Sequence, residues 1–173
     1  MKFLSAATLL LTAPLVSAAS LPSLFDPSQV TIKTAEPQFP VEGDNPLEYC
    51  QNPENHILKI ESVNLSPNPP QPGQTLNIKA NGTLNERIEK GATVSLEVKW
   101  GLITLIKQTV DLCKELENVD MECPLEKGEM SLTKQVDLPK QIPPGKYSIL
   151  ADVYDKDQKQ VTCLKANDIT FHL

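Results

Sequence analysis

Short stretches in which apolar and polar residues alternate fill the chain from Tyr49 onwards. In the clearest one, Val94, Leu96, Val98 and Trp100 point one way and the polar residues between them point the other, as in a half-buried β-strand. Similar alternation marks 58–61, 76–80, 132–138, 147–154 and 169–173, and turn signals separate these runs at 66–73, 81–82, 143–145 and 155–157. Seven or eight short strands spaced this way predict an all-β sandwich.

Three local features refine that pattern. The alternation shifts phase between Ile60 and Val63, which predicts a bulge or a bend. The stretch 102–112 is apolar on both faces, as expected where a strand also borders a cavity or a partner. Asp111 is placed to cap a short helix in which Leu112, Leu116 and Val119 would share one face.

The first residues resemble a targeting segment. Lys2 precedes an apolar run at 3–16 that is too short to span a membrane, and small residues follow at 16–18. We therefore predict a signal peptide at 1–18, a proline-rich flexible leader or propeptide at 19–46, and a folded domain at 47–173. The expected location is the secretory pathway, either the vacuole lumen or the extracellular space, and the mature protein is expected to be soluble.

Charge and cysteine content narrow the chemistry. The net charge is −6, and one unit more negative once Lys2 is removed, which disfavours nucleic-acid binding. Four cysteines in a secretory chain predict two disulfides, with three pairings open. Zinc is the rival interpretation, but no Cys-x-x-Cys is present and the two histidines, His56 and His172, are expected to face solvent. Without a catalytic, nucleotide or metal motif, we expect a binding protein that is not an enzyme and carries no cofactor or metal.

Two glycosylation sequons occur in this secretory chain, at Asn64-Leu65-Ser66 and Asn81-Gly82-Thr83. Asn81, predicted to lie in a turn, is the better expected acceptor, and Asn64 is expected at the end of a strand.

Several fragments together resemble the ML lipid-recognition family, in its Niemann-Pick type C cholesterol-carrier branch. They are the run Cys123-Pro124-Leu125-Glu126-Lys127-Gly128 ten positions after Cys113, the run 143–147, the run 155–157 before Cys163, and the proline-rich run 66–74. The resemblance covers about 47–173. It implies an immunoglobulin-like two-sheet sandwich that holds one lipid in an apolar cavity, and disulfides Cys50–Cys163 and Cys113–Cys123.

This chain departs from the family pattern in two places. Animal members carry a further small disulfide near the Ser-Pro loop, where this chain has no cysteine. Sterol-carrying members line the tunnel with aromatic rings, whereas 102–110 contains none, so a sterol preference is not simply inherited.

A lipid carrier needs an apolar cavity without charged groups, and a mouth that opens near a membrane. The predicted wall is Val98, Trp100, Leu102, Leu105 and Ile106 from one sheet, with Tyr147, Ile149, Ala151 and Val153 from the other. The predicted rim is Ile142, Pro143 and Pro144. The same alternation is also what an ordinary packed core shows.

The function expected from the resemblance is therefore a carrier of one phospholipid or sterol. It would be a monomer in transient contact with membrane surfaces, without a nucleic-acid partner. The alternative is a secreted structural or adhesion-type β-sandwich with a fully packed core and no ligand. A third possibility is an accessory protein that presents lipid to a hydrolase.

Overall fold

The computed structural model describes residues 38–172, which form an almost entirely β structure, as predicted. Its eight strands are β1 (Leu47–Tyr49), β2 (Leu58–Ser66), β3 (Thr75–Leu84), β4 (Thr93–Trp100), β5 (Ile103–Asp111), β6 (Gly128–Asp137), β7 (Gly145–Tyr154) and β8 (Gln160–Phe171). A 3-10 turn at Pro53–Asn55 and the helix α1 (Leu112–Glu117) complete the elements. In this part of the chain, no helix has the length and apolar character needed to cross a membrane.

The strands form two antiparallel sheets, which confirms the predicted sandwich. The larger sheet has the order β1-β8-β7-β4-β5, and the smaller has the order β2-β3-β6. The prediction that β4 and β7 supply facing walls is wrong, because they are neighbours in one sheet, with Val98 paired to Ile149 and Trp100 paired to Tyr147. Alternation in a sequence reveals which face of a strand is apolar but not which strand lies beside it.

β3 runs without a break through the Asn81-Gly82 pair, where we predicted a turn. The glycine is required for a different reason. The predicted bulge in β2, between Ile60 and Ser62, lies beside it, and a Cβ at position 82 would lie 2.7 Å from the Lys59 carbonyl oxygen. Gly82 therefore allows close approach of two backbones rather than a reversal of the chain.

Two clusters of buried hydrophobic residues make up the core. The first consists of Ile57, Leu84, Ile88, Ala92 and Val161. The second consists of Val41, Tyr49 and Val63. Both disulfides implied by the family resemblance are present, Cys50–Cys163 and Cys113–Cys123.

Asp111 caps α1, as predicted from the sequence. Its carboxylate accepts hydrogen bonds from the backbone N–H groups of Cys113, at 2.8 Å, and Lys114, at 3.3 Å. Cys113 and Leu116 are the residues of the helix that become buried. The cap and the disulfide at Cys113 thus fix this short helix at the end of β5.

Residues 39–46, which we assigned to the flexible leader, are built into the folded domain. Val41 is buried, and its N–H donates to the Leu47 carbonyl at 3.0 Å. The N–H of Val63 donates to Glu42 at 2.8 Å, and that of Leu65 donates to Asp44 at 2.9 Å. This segment therefore joins the edges of β1 and β2 and closes that flank of the sandwich. The predicted signal peptide and most of the predicted leader lie outside the described residues.

His56 is buried, with 5% of its surface exposed, so the prediction that it faces solvent is wrong. Its ring lies against that of Tyr49, with 5.7 Å between the centroids. Burial lowers the pKa of His56, and nearby Gln160 and Asp152 offset this only in part. The Pro/Asn turn before it indicated the surface, but the chain enters the core directly after that turn. His172 is exposed, as predicted.

Candidate binding site

A cavity of about 260 Å³ lies between the two sheets, beside the second buried cluster. Its wall is almost entirely apolar, and it is built by β1, β2, β3, β6 and β8. The lining residues are Leu47, Leu58, Ile60, Val63, Ile78, Ala80, Asn81, Gly82, Met130, Leu132, Thr162 and Leu164. No charged side chain is among them, so the cavity offers a surface suited to hydrocarbon.

The flank of the sandwich opposite the β1 and β2 edges is open. β4 and β5 form one side of the five-stranded sheet, and β6 is the last strand of the three-stranded sheet. Every residue of β4 remains partly accessible, and β5 is exposed from Ile103 to Thr109. We call this uncovered inner surface of β4 and β5 the shelf. It continues the apolar face of the larger sheet out from the cavity.

Most of the predicted wall residues lie on that face of the larger sheet. Residues paired directly across antiparallel strands share a face, so the register of β7 with β8 places Ile149 beside Ala166 and Ala151 beside the cavity residue Leu164. The pairings of β4 with β5 and β7 place the remaining members on the same face. They are Val98, Trp100, Ile106, Tyr147 and Val153. None of these residues lines the cavity itself.

Leu102 and Leu105 lie in the hairpin between β4 and β5. Leu102 is fully exposed, while Ile103 and Leu105 are 57% and 51% exposed. A β-bulge between Val98 and Lys99 leaves Leu105 as the extra residue on β5. We call Leu102, Ile103 and Leu105 the hairpin tip. It is an apolar projection into solvent at the edge of the shelf.

The predicted rim residues Ile142, Pro143 and Pro144 lie elsewhere, at a shallow surface depression shared with Pro72 and His172. Their backbone supports the aromatic end of the shelf. The indole nitrogen of Trp100 donates to the Pro144 carbonyl at 3.3 Å, and the Tyr147 hydroxyl donates to the Pro143 carbonyl at 2.9 Å.

The backbone at Gly145 packs against the Trp100 indole, and a Cβ there would collide with the indole nitrogen. Its φ of +143° also disfavours other residues. The 143–145 turn therefore fixes the position of the tryptophan.

The outer face of the larger sheet carries the charges that the cavity lacks. The Glu97 carboxylate pairs with Lys99, and with Lys107 at 3.4 Å. These ammonium groups lower the pKa of Glu97. Lys165 and Glu48 form a further pair on the same face, at 3.6 Å. The larger sheet is therefore clearly two-sided, with a charged outer face and an apolar inner face.

The predicted glycosylation residues are both exposed. Asn64 accepts a hydrogen bond from the N–H of Asp44 through its side-chain oxygen, at 2.9 Å. Asn81 lies within β3 rather than in a turn, and its amide donates to the Ser62 hydroxyl at 3.4 Å. Glycosylation of either residue stays a prediction.

The sequence interpretation missed the wall formed by the smaller sheet. Ile78, Ala80 and Leu132 lie in runs with period-2 alternation and were predicted only as strand positions, while Met130 lies before the predicted run at 132–138. The missing information was the pairing of strands distant in the sequence. A fully packed core, our alternative, does not fit the cavity, because voids larger than a water molecule are few in ordinary protein interiors.

The fold and the cavity together define a two-sheet β-sandwich of the ligand-binding kind. Residues 44–169 match the model of the ML domain family. A phosphatidylglycerol/phosphatidylinositol transfer protein of Aspergillus fumigatus is 61% identical, over 100% of this chain and 99% of its own length. One of the same name from Aspergillus oryzae is 57% identical, over 99% of this chain and 98% of its own. The chain belongs to the ML domain family.

Among solved structures, chicken MD-1 complexed with lipid IVa is similar, with a TM-score of 0.53 and 18% identity. The similarity covers 79% of this chain and 99% of that one. At this level of identity it supports the fold, a sandwich of two sheets, and not the choice of ligand.

Proposed function

We propose that this protein is a lipid carrier that takes up one phospholipid, phosphatidylglycerol or phosphatidylinositol, and transfers it between membranes. The observation that carries the proposal is the uncharged apolar cavity with one open flank, in a chain whose relatives are named as transfer proteins for these lipids. Such a function is binding and transfer, and no covalent bond is made or broken.

The cavity suits the acyl part of a lipid. Each methylene group removed from water contributes about 0.8 kcal/mol, so a chain held against apolar side chains is strongly retained. At about 260 Å³ the cavity is slightly below the ~300–1,000 Å³ of typical ligand pockets. We infer that the remainder of the lipid lies over the shelf, against Val98, Ile106 and Ile149, with Trp100 and Tyr147 at its end.

Transfer requires contact with a membrane, and the hairpin tip is the surface that suits it. Its exposed leucine and isoleucine side chains project beside the open flank. Their insertion among lipid headgroups would bring the shelf to the bilayer surface, so that a lipid could slide in without crossing water. The protein would act as a monomer, because each chain contains a complete cavity and tip.

The sequence and the two disulfides support a location in the secretory pathway. A signal peptide at 1–18 would direct the chain into the secretory pathway, where the two disulfides are stable. The vacuole lumen and the extracellular space are the proposed destinations.

Vesicle-to-vesicle transfer tests the proposal. The purified protein is mixed with donor vesicles that contain fluorescent phosphatidylglycerol and with unlabelled acceptor vesicles, and mass spectrometry measures lipid extracted from the purified protein. We expect transfer that increases with protein concentration and one bound phospholipid per chain. A protein that carries no lipid and does not accelerate transfer over the protein-free control would contradict the proposal.

A further inference from the structure

One lysine stands on the inner side of the smaller sheet. Along β6 the residues alternate between half-buried and exposed, and Lys134 occupies a half-buried position in the series Met130, Leu132, Lys134, Val136. Its direct partner on β3 is Ile78, which in turn pairs with Leu65 on β2. Leu132 and Ile78 both line the cavity. Lys134 therefore lies next to the cavity wall, on the same face.

Lys134 is the one charged residue on the inner faces of the two sheets in the part of the chain that the structure describes. The strand pairings place the other charged residues of the β-strands on the outer faces or at strand ends, as with Lys79 and Glu97. Within residues 38–172, no carboxylate lies within ion-pair distance of Lys134. An unpaired charge at an apolar wall is costly unless its head reaches water or a partner of opposite charge.

The position of β6 allows the ammonium group of Lys134 to reach water. β6 is the edge strand of its sheet, and it borders the open flank below the shelf. A lysine side chain can lay its methylene groups along the apolar wall and hold its ammonium at the mouth. The result is a positive charge at the entrance of a cavity that otherwise suits hydrocarbon.

From this geometry we propose that Lys134 binds the phosphate of an anionic phospholipid whose acyl chain occupies the cavity, and that it selects anionic over zwitterionic headgroups. The proposal rests on the proposed function and adds the residue that determines specificity. Lysine serves as a point charge for phosphate. Phosphatidylcholine carries its own cation beside the same phosphate, and the repulsion between that cation and the lysine ammonium favours a headgroup whose net charge is negative.

The test compares two lipids in the same neutral vesicles. Donor and acceptor vesicles are made of phosphatidylcholine, and the donors contain a trace of fluorescent phosphatidylglycerol or fluorescent phosphatidylcholine. The measured quantity is the ratio of the two transfer rates. Neutral vesicles remove the long-range electrostatic interaction between the negatively charged protein and the membrane surface, so the ratio reports recognition of the lipid itself.

Lys134→Met removes the charge and keeps the length of the side chain, while Lys134→Arg keeps the charge. Lys79→Met is the matched control, because Lys79 is an exposed lysine of the neighbouring strand on the opposite face. We expect wild type, Lys134→Arg and Lys79→Met to favour phosphatidylglycerol. In Lys134→Met the preference should fall by about tenfold, the loss expected for one charge-assisted hydrogen bond. Lys134→Gln serves as a second neutral variant if the methionine variant does not fold.

The possible results distinguish the role of Lys134 from the proposed function as a lipid carrier. An unchanged ratio in Lys134→Met, or equal transfer of both lipids by the wild type, overturns the role of Lys134 and leaves the lipid carrier intact. Transfer of neither lipid by the wild type overturns the proposed function and the role of Lys134 with it. Millimolar glycerophosphoglycerol carries the same phosphodiester without acyl chains and should leave transfer unchanged. Strong inhibition by it would show a site for a free phosphodiester instead of a lipid headgroup.

Discussion

Removing the apolar side chains of the hairpin tip should detach the protein from membranes without unfolding it. The change is the double substitution Leu102→Ser and Ile103→Thr, in which threonine keeps the β-branching that suits the first residue of β5. Leu102 is fully exposed and Ile103 is 57% exposed, so neither side chain contributes much to the packed core. Exposed substitutions of this kind usually change the free energy of unfolding by no more than about 0.5 kcal/mol.

The expected loss of membrane affinity follows from the same exposed surfaces. Burial of a whole leucine side chain contributes about 1.5–3 kcal/mol, and the exposed part of Ile103 adds roughly half as much. Since 1.4 kcal/mol corresponds to a tenfold change, the double variant should bind vesicles at least about 30-fold more weakly. Flotation with phospholipid vesicles measures this binding, and a thermal melt measures stability.

Leu150→Ser is the matched control. Leu150 is 38% exposed and lies on the charged outer face of the same sheet, paired with Glu97 and Lys165. The Leu150→Ser variant should float with vesicles as the wild type does. Normal flotation of the double variant would refute membrane binding by the hairpin tip. A melting midpoint lower by more than a few degrees would show that the two side chains contribute to the packed core.

Four further outcomes are expected. Ala80→Phe should fill the cavity, so mass spectrometry should find little bound lipid. The free energy of unfolding should change by less than the ~1–3 kcal/mol typical of overpacking a filled core. Normal lipid loading of this variant would refute the cavity as the binding site. Leu105→Asp should melt cooperatively, because its position is half exposed, but transfer lipid more slowly; loss of the cooperative melt would make it a core residue. Because burial lowers the pKa of His56, the unfolded chain takes up a proton at a higher pH than the folded chain does. The free energy of unfolding should therefore fall as the pH drops below about 6.5. Between pH 7 and 5.5 the melting midpoint of His56→Phe should fall less than that of the wild type, and an equal fall would refute this role of His56. Replacing Cys50 and Cys163 by alanine, which opens a loop of 113 residues, should cost about 5 kcal/mol in denaturant unfolding, against about 3 for the 10-residue disulfide; equal losses would contradict the chain-entropy model.

Local sequence patterns were sufficient to predict most of the strands and the short helix. The alternation of apolar and polar residues predicted β4 and β7, and the shift in its phase predicted the irregularity in β2. Asp111 predicted the start of α1. Each of these features depends on neighbours a few residues away, which a sequence displays directly. The two disulfides followed from the family resemblance and not from the spacing of the cysteines.

The site was harder to predict because it depends on pairing between distant strands. β4 and β7 look alike in the sequence whether they face each other or lie side by side, and the opposite wall is formed by β2, β3 and β6. Gly82 illustrates the same limit, since a glycine after asparagine indicates a turn until the backbone of Lys59 is seen beside it. The burial of His56 also depends on tertiary packing that no local pattern shows.

Photo-crosslinking locates the bound lipid and shows whether its acyl chain lies between the two sheets. The protein is loaded with phosphatidylglycerol that carries a photoactivatable group near the end of one acyl chain, irradiated, digested and mapped by mass spectrometry. We expect labels on cavity residues of the smaller sheet and of β8, such as Ile78, Leu132 and Leu164, and we expect these labels to be lost in Ala80→Phe. Labels confined to the outer faces, or to the depression at 142–144, would contradict a lipid held between the two sheets.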